Sequence, residues 1–146
     1  MARPADNPIP LDEQLFRGLS TDDRAPHDEV LASAIDKKGT SVYRGKYADP
    51  GVVLEERNTA IAVAMTTGDA LAPPIVTETV TVEAYAWDAP EEGNAHAEVR
   101  LLRPGKDEPG AASYEPGRLA WAIIREQIAR RFVVLPTPRR EPDMIA

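Results

Sequence analysis

The chain has 146 residues, a formal net charge of −7 from 17 Lys and Arg against 24 Asp and Glu, and no cysteine. That length implies one domain with one core, the charge argues against nucleic acid as a partner, and the missing thiols exclude disulfides, thiolate nucleophiles and Cys-based zinc sites. Fourteen prolines, roughly twice the average share of about 5%, place many residues in loops and tails.

Residues 1 to 12, "MARPADNPIPLD", are Pro- and Asp-rich without periodicity and predict a flexible N-terminal arm. No apolar h-region precedes the acidic residues, and no run nears the 18 or so apolar residues of a membrane span, so a soluble cytoplasmic protein is expected. The domain proper is expected over 13 to 136. It starts with a short strand at "QLFRGLS", where Gly18 predicts a bulge.

"APHDEVLASAIDKKG" carries a full helix signature: Asp28 as cap, Val30, Leu31, Ala34 and Ile35 as buried face, and Gly39 as stop. "TSVYRG" predicts a second strand, and "ADPGVVLEERN" a short helix capped by Asp49 with Pro50 in its first turn. "TAIAVAMTTGDA" is a β-branched run ending in a Gly-Asp turn. "PPIVTETVTVEAYAW" predicts one long strand, with Val76, Val80, Val82, Ala84 and Ala86 on its apolar face.

"HAEVRLLRP" predicts another strand, and "RPGKDEPGAASYEPG" a turn-rich loop. An amphipathic helix follows in "RLAWAIIREQIARRF", with Ala120, Ile124 and Ile128 at four-residue spacing and Trp121 and Ile123 widening the stripe. "FVVLP" then predicts a buried last strand, and 137 to 146 a polar tail. Together these elements predict a compact α+β domain whose mixed or mainly antiparallel sheet is packed by the C-terminal helix.

Three constellations bear on function. His96, one of two histidines, stands between alanines at a strand start, where its ring either does chemistry or ties the preceding turn to a neighbouring loop. Arg17 and Arg44 lie in apolar settings, "LFRG" and "VYRG", and either hold a phosphate or carboxylate or pair with Glu78, Glu83 or Glu98. The six arginines Arg118, Arg125, Arg130, Arg131, Arg139 and Arg140 oppose an acidic first quarter, as a solvated face or a partner-orienting one.

"LFRG", "TSV" and "TVEAYAW" resemble, in order, the Arg, Ser-Thr-Ser and Glu blocks of ADP-ribosyltransferases; that resemblance implies an NAD site positioned by the Arg and a hydroxyl, with Glu83 as the carboxylate that stabilises the developing oxocarbenium ion. No GxSxG, GxGxxG, P-loop, HxH or HExxH pattern occurs, so no metal and no cofactor is expected.

Over residues 15 to 136 the chain also resembles a family of small uncharacterised bacterial proteins with Leu-Tyr-Arg, Ser-Val-acid-Arg and Asn-Pro-Ala-His-Ala blocks. Here these read Leu15-Phe16-Arg17, Ser41-Val42-Tyr43-Arg44 and Gly93-Asn94-Ala95-His96-Ala97, with Tyr43 in place of the acid and Gly93-Asn94 in place of Asn-Pro. The resemblance implies no activity, but it implies that Arg17, Ser41, Arg44 and His96 form one site. The expectation is a small non-enzymatic accessory or protein-binding module; the alternative is a domain that binds an anionic small molecule or nucleotide at those four residues, possessing ADP-ribosyltransferase-like activity if it is an enzyme.

Overall fold

A computed structural model describes residues 3–20, 30–59 and 61–136. Strand β1 (Gln14–Leu19) is followed by a 3-10 turn (Ala32–Ala34), strand β2 (Thr40–Arg44), helix α1 (Pro50–Arg57), strand β3 (Ile61–Thr66) and helix α2 (Thr67–Leu71). Strands β4 (Ile75–Val76), β5 (Thr81–Asp88) and β6 (His96–Leu102) come next, then helix α3 (Arg118–Ala129) and strand β7 (Val133–Val134). The strands form one sheet in the order β4-β5-β6-β2-β1-β3-β7, and every pairing is antiparallel. The α+β class expected from the sequence is therefore found, and the sheet, expected to be mixed or mainly antiparallel, is antiparallel throughout.

Alternation along the strands builds two cores. Leu15 and Leu19 of β1, Val42 of β2, Val63 and Met65 of β3, and Val82 and Ala84 of β5 join the main cluster with Ala120, Ile124 and Ile128 of α3. Phe16 and Ala64 project from the other face and meet Ala48 and Val53 beneath α1. The central strands are thus covered on both sides, which is why β3 reads as a continuous buried run rather than as an alternation.

Several local expectations change. Gly18 makes no bulge, because β1 and β3 pair without interruption from Gln14↔Thr66 to Leu19↔Ile61. It is a place of close approach: a Cβ there would lie 2.4 Å from Thr59 Oγ1, just beyond α1. The helix expected before Gly39 is only the 3-10 turn among the described residues; its cap Asp28 lies outside them, as do the tail 137 to 146 and His27. Tertiary bonds compete for its backbone, since Arg17 Nε donates to the Ala34 carbonyl and the Asp36 N–H donates to Thr40 Oγ1.

The long strand expected over 74 to 87 is a hairpin. Ile75 and Val76 of β4 pair with Val82 and Thr81 of β5, and the Thr77 hydroxyl closes the turn by donating to the Val80 carbonyl. Val76 is consequently exposed. The Gly-Asp turn is instead α2, held by a capping box between Thr66 and Asp69. In α3 the stripe is narrower than expected, with Ile123 turned to solvent, and β7 is an edge strand with Val133 exposed.

Residues 3 to 12, expected to form a loose arm, run as a strap across the sheet's end: Ile9 is buried in the main core and the Leu11 carbonyl accepts from Gly68 N. No helix among the described residues is long and apolar enough to cross a membrane.

Candidate functional site

Two neighbouring features, a polar cleft and a buried ion network, gather the chemistry-bearing side chains. The cleft arises from the pairing of β2 with β6, in which Ser41 faces Glu98 and Tyr43 faces His96. Direct cross-strand partners share a face, so these four side chains line one floor. Helix α1 supplies one wall through Glu56 and Arg57, and the turn before β6 supplies the other through Glu92 and Asn94, enclosing about 580 Å³. The α1 wall is fixed locally by the Asp49 cap, whose Oδ1 accepts from Val52 N at 2.9 Å, and by Asn58, whose φ of 51° ends the helix in the left-handed region.

Burial holds the His96 imidazole below its ordinary range, against the opposing pull of Glu98 and Glu92, so the ring is neutral near pH 7. Burial also raises the Tyr43 phenol, and the neighbouring Glu56 carboxylate adds to that. Glu98 directs one oxygen to Arg100, at 2.9 and 2.7 Å. The cleft is therefore polar and weakly acidic. Its charged lining is three carboxylates, Glu56, Glu92 and Glu98, to one guanidinium, Arg57.

The ion network lies on the opposite face of β2. The period of two that points Ser41 and Tyr43 into the cleft points Val42 and Arg44 into the core, and Arg44 is fully buried. Its Nε and Nη2 grip Glu13 at 2.7 Å each, Nη2 also reaches Asp6 at 3.1 Å, and Nη1 lies 3.3 Å from Asp88. Glu13 first, then Asp6 and Asp88, hold the Arg44 guanidinium above even its usual range.

Asp88 is equally buried and receives the Arg3 fork at 2.6 and 2.8 Å and the Asp6 N–H at 2.7 Å. Burial pushes the Asp88 carboxyl up, yet the bonds from Arg3 and Asp6 and the charge of Arg44 outweigh it and leave it lowered. The Tyr47 ring closes the network, with the Arg3 guanidinium 4.1 Å and that of Arg44 5.1 Å from its centroid. Three cations, counting Lys46 at 3.9 Å from Asp6, meet three carboxylates, the balance that buried charge requires.

The four residues named from the sequence are thus divided by the sheet. Ser41 and His96 share the cleft; Arg44 lies on the other face in the network. Arg17 meets Ser41 through the main chain, its Nη1 donating to the Ser41 carbonyl at 2.7 Å, and it also bonds to the Ala34 carbonyl and Asp36. The carboxylates that pair with the two arginines are not Glu78, Glu83 or Glu98. Glu83 lines a separate apolar groove with Tyr85 and Trp87.

Glu13, Asp6, Asp88, Arg3 and Tyr47 carry no motif that marks them as site residues in the sequence. A signal existed: Val42 and Arg44 fall on one face, as do Val82, Ala84, Ala86 and Asp88, so two opposite charges were committed to the core and had to meet. Among the described residues no group of His, Asp and Glu is arranged to hold a metal ion. Comparison with protein-family models, curated proteins and solved structures gives no match for this chain.

Proposed function

We propose that this chain is a small non-enzymatic module that binds a protein partner, taking a basic segment of it in the cleft around His96. The observation that carries this reading is the lining: three glutamates to one arginine, on a molecule of net charge −7. Such a surface draws cations at long range and repels phosphates. An anionic ligand would need cations facing it, and Arg44, the strongest candidate, is enclosed by Glu13, Asp6 and Asp88.

Nothing in the cleft assembles a catalytic set. Among the described residues the His96 side chain has no hydrogen-bonded carboxylate to orient it and the Ser41 hydroxyl has no base bonded to it, whereas nucleophile and base need mutual contact at about 3 Å. A neutral imidazole, a hydroxyl and carboxylates suit instead the hydrogen-bond donors of Lys and Arg side chains.

The test is a two-dimensional NMR titration of the full chain with an Arg- and Lys-containing octapeptide, and separately with ATP and NAD. The reading expects peptide-induced shifts at Tyr43, Glu92 and His96, at least tenfold weaker binding in Glu92→Gln plus Glu56→Gln, and no response to nucleotide. Shifts at these residues with ATP or NAD, and none with peptide, would overturn it.

A further inference from the structure

The best-built recognition geometry in the molecule surrounds Arg3. Both oxygens of a buried carboxylate, Asp88, accept its two terminal nitrogens. Its Nε donates to the Asn94 carbonyl at 2.7 Å, and its plane lies 4.1 Å from the Tyr47 ring centroid. A carboxylate fork, a carbonyl aligned with Nε and an aromatic face select a planar guanidinium over an ammonium point charge.

The pocket also has supports that do not depend on Arg3. Asp88 is held by Arg44 Nη1 at 3.3 Å and by the Asp6 N–H, and Tyr47 is held by its N–H to the Arg44 carbonyl at 3.0 Å. Removing Arg3 would therefore leave a buried carboxylate that still has a cation beside it, in a site already shaped.

The residue filling this pocket lies ahead of the strap's other anchors: the Asp6 N–H donates to Asp88, Asn7 Oδ1 accepts from the Asp88 N–H and the Asp6 carboxylate meets Arg44, whereas Pro4 and Ala5 are exposed. Residues 3–9 carry no helix or strand, and backbone–backbone hydrogen bonds to the strap begin only at Pro10 and Leu11. Ile9, buried in the core, anchors the segment behind Arg3. Asn94 and Tyr47 belong to two rims at once, because they also line the cleft around His96.

We infer that Asp88, the Asn94 carbonyl and Tyr47 form an arginine-recognition pocket, occupied in cis by Arg3, that receives an arginine side chain of the partner's segment when residues 3 to 5 swing out about the anchored Asp6. The inference rests on the cleft reading for its partner, since a segment lying along the cleft reaches this pocket at its Asn94 end. The strap is then an internal competitor. A tethered ligand acts at an effective concentration on the order of millimolar, so a single free arginine does not displace it, and a segment that also engages the cleft glutamates does.

The experiment uses the full chain as wild type, Arg3→Ala and Arg3→Lys, titrated calorimetrically with a peptide of residues 2 to 9 and with the same peptide carrying Lys for Arg. The expected result is at least tenfold tighter binding of the arginine peptide to Arg3→Ala than to wild type, and at least tenfold weaker binding of the lysine peptide. Should Arg3→Ala lose its cooperative melt, Arg3→Lys, which keeps the charge and loses the fork, is expected to rank the peptides the same way.

Equal binding to wild type and both variants, or no preference for arginine over lysine, would overturn the pocket. The basic octapeptide separates this from the cleft reading. If it binds wild type and weakens with Glu92→Gln while the strap peptide discriminates nothing, only the arginine pocket falls. If it fails while the strap peptide behaves as expected, only the cleft falls.

Discussion

Arg44→Ala probes the ion network most directly. The substitution removes both bonds to Glu13, the contact to Asp6 and the positive charge 3.3 Å from Asp88. Asp88 keeps the Arg3 fork and the Asp6 N–H, but Glu13, whose side chain is only 10% exposed, is left without its guanidinium. Breaking a buried pair by deleting one partner costs about 3 to 5 kcal/mol, because the remaining charge stays desolvated. For a chain of this length about 2 to 4 °C of melting temperature follows each kcal/mol, so the expected fall is roughly 6 to 20 °C. Urea denaturation and calorimetry measure it.

A double substitution isolates the cause: Glu13→Gln in the Arg44→Ala background removes the stranded charge and should restore about 1 to 3 kcal/mol. Arg130→Ala serves as the control. Its guanidinium pairs with Glu126 on the exposed side of α3, and the loss should stay within about 1 kcal/mol. Arg44→Ala within 1 kcal/mol of wild type, or no recovery in the double variant, would refute the account of the network as a set of interdependent buried charges.

Acid stability follows from the same groups. Because the folded Asp88 carboxyl is lowered, its contribution is present above the unfolded value of about 3.9 and is lost as pH falls through the folded one. Arg3→Ala, which removes the largest lowering contact, should flatten the loss of stability below about pH 4; an unchanged acid limb would count against Arg3 as the partner. Gly18→Ala drives a Cβ to within 2.4 Å of Thr59 Oγ1 and should destabilise by about 1 to 3 kcal/mol, with Thr59→Ala recovering most of it in equilibrium unfolding. Ile124→Asp puts an uncompensated carboxylate into the fully buried stripe of α3 and should cost several kcal/mol, about the sum of lost apolar packing and charge burial; wild-type-like melting would contradict that packing. His96 reports on ligand sign: a bound basic peptide should lower its NMR-titrated pKa further, whereas a bound anion would raise it.

The sequence by itself determined the α+β domain, because apolar runs short enough for strands at Gln14–Leu19, Thr40–Arg44 and His96–Leu102 and the four-residue stripe of Ala120, Ile124 and Ile128 are set by local geometry. The cap at Asp49 bounded its helix for the same reason. What the chain does locally when tertiary bonds compete was not legible there. The turn at Thr77 to Val80 split a run that alternates well, and Arg17 took a carbonyl from a segment with full helix signals.

The candidate site was legible in half. His96 and Ser41 share a cleft because β2 and β6 pair in a particular register, and register joins residues more than fifty positions apart that no local pattern connects. Arg44 and Asp88 could be placed in the core from their strand neighbours, yet only the fold brought Glu13, Asp6 and Arg3 to them. A strap without periodicity carries no local signal of where it docks; burying two opposite charges created the demand, and the tertiary structure met it with the N-terminal segment.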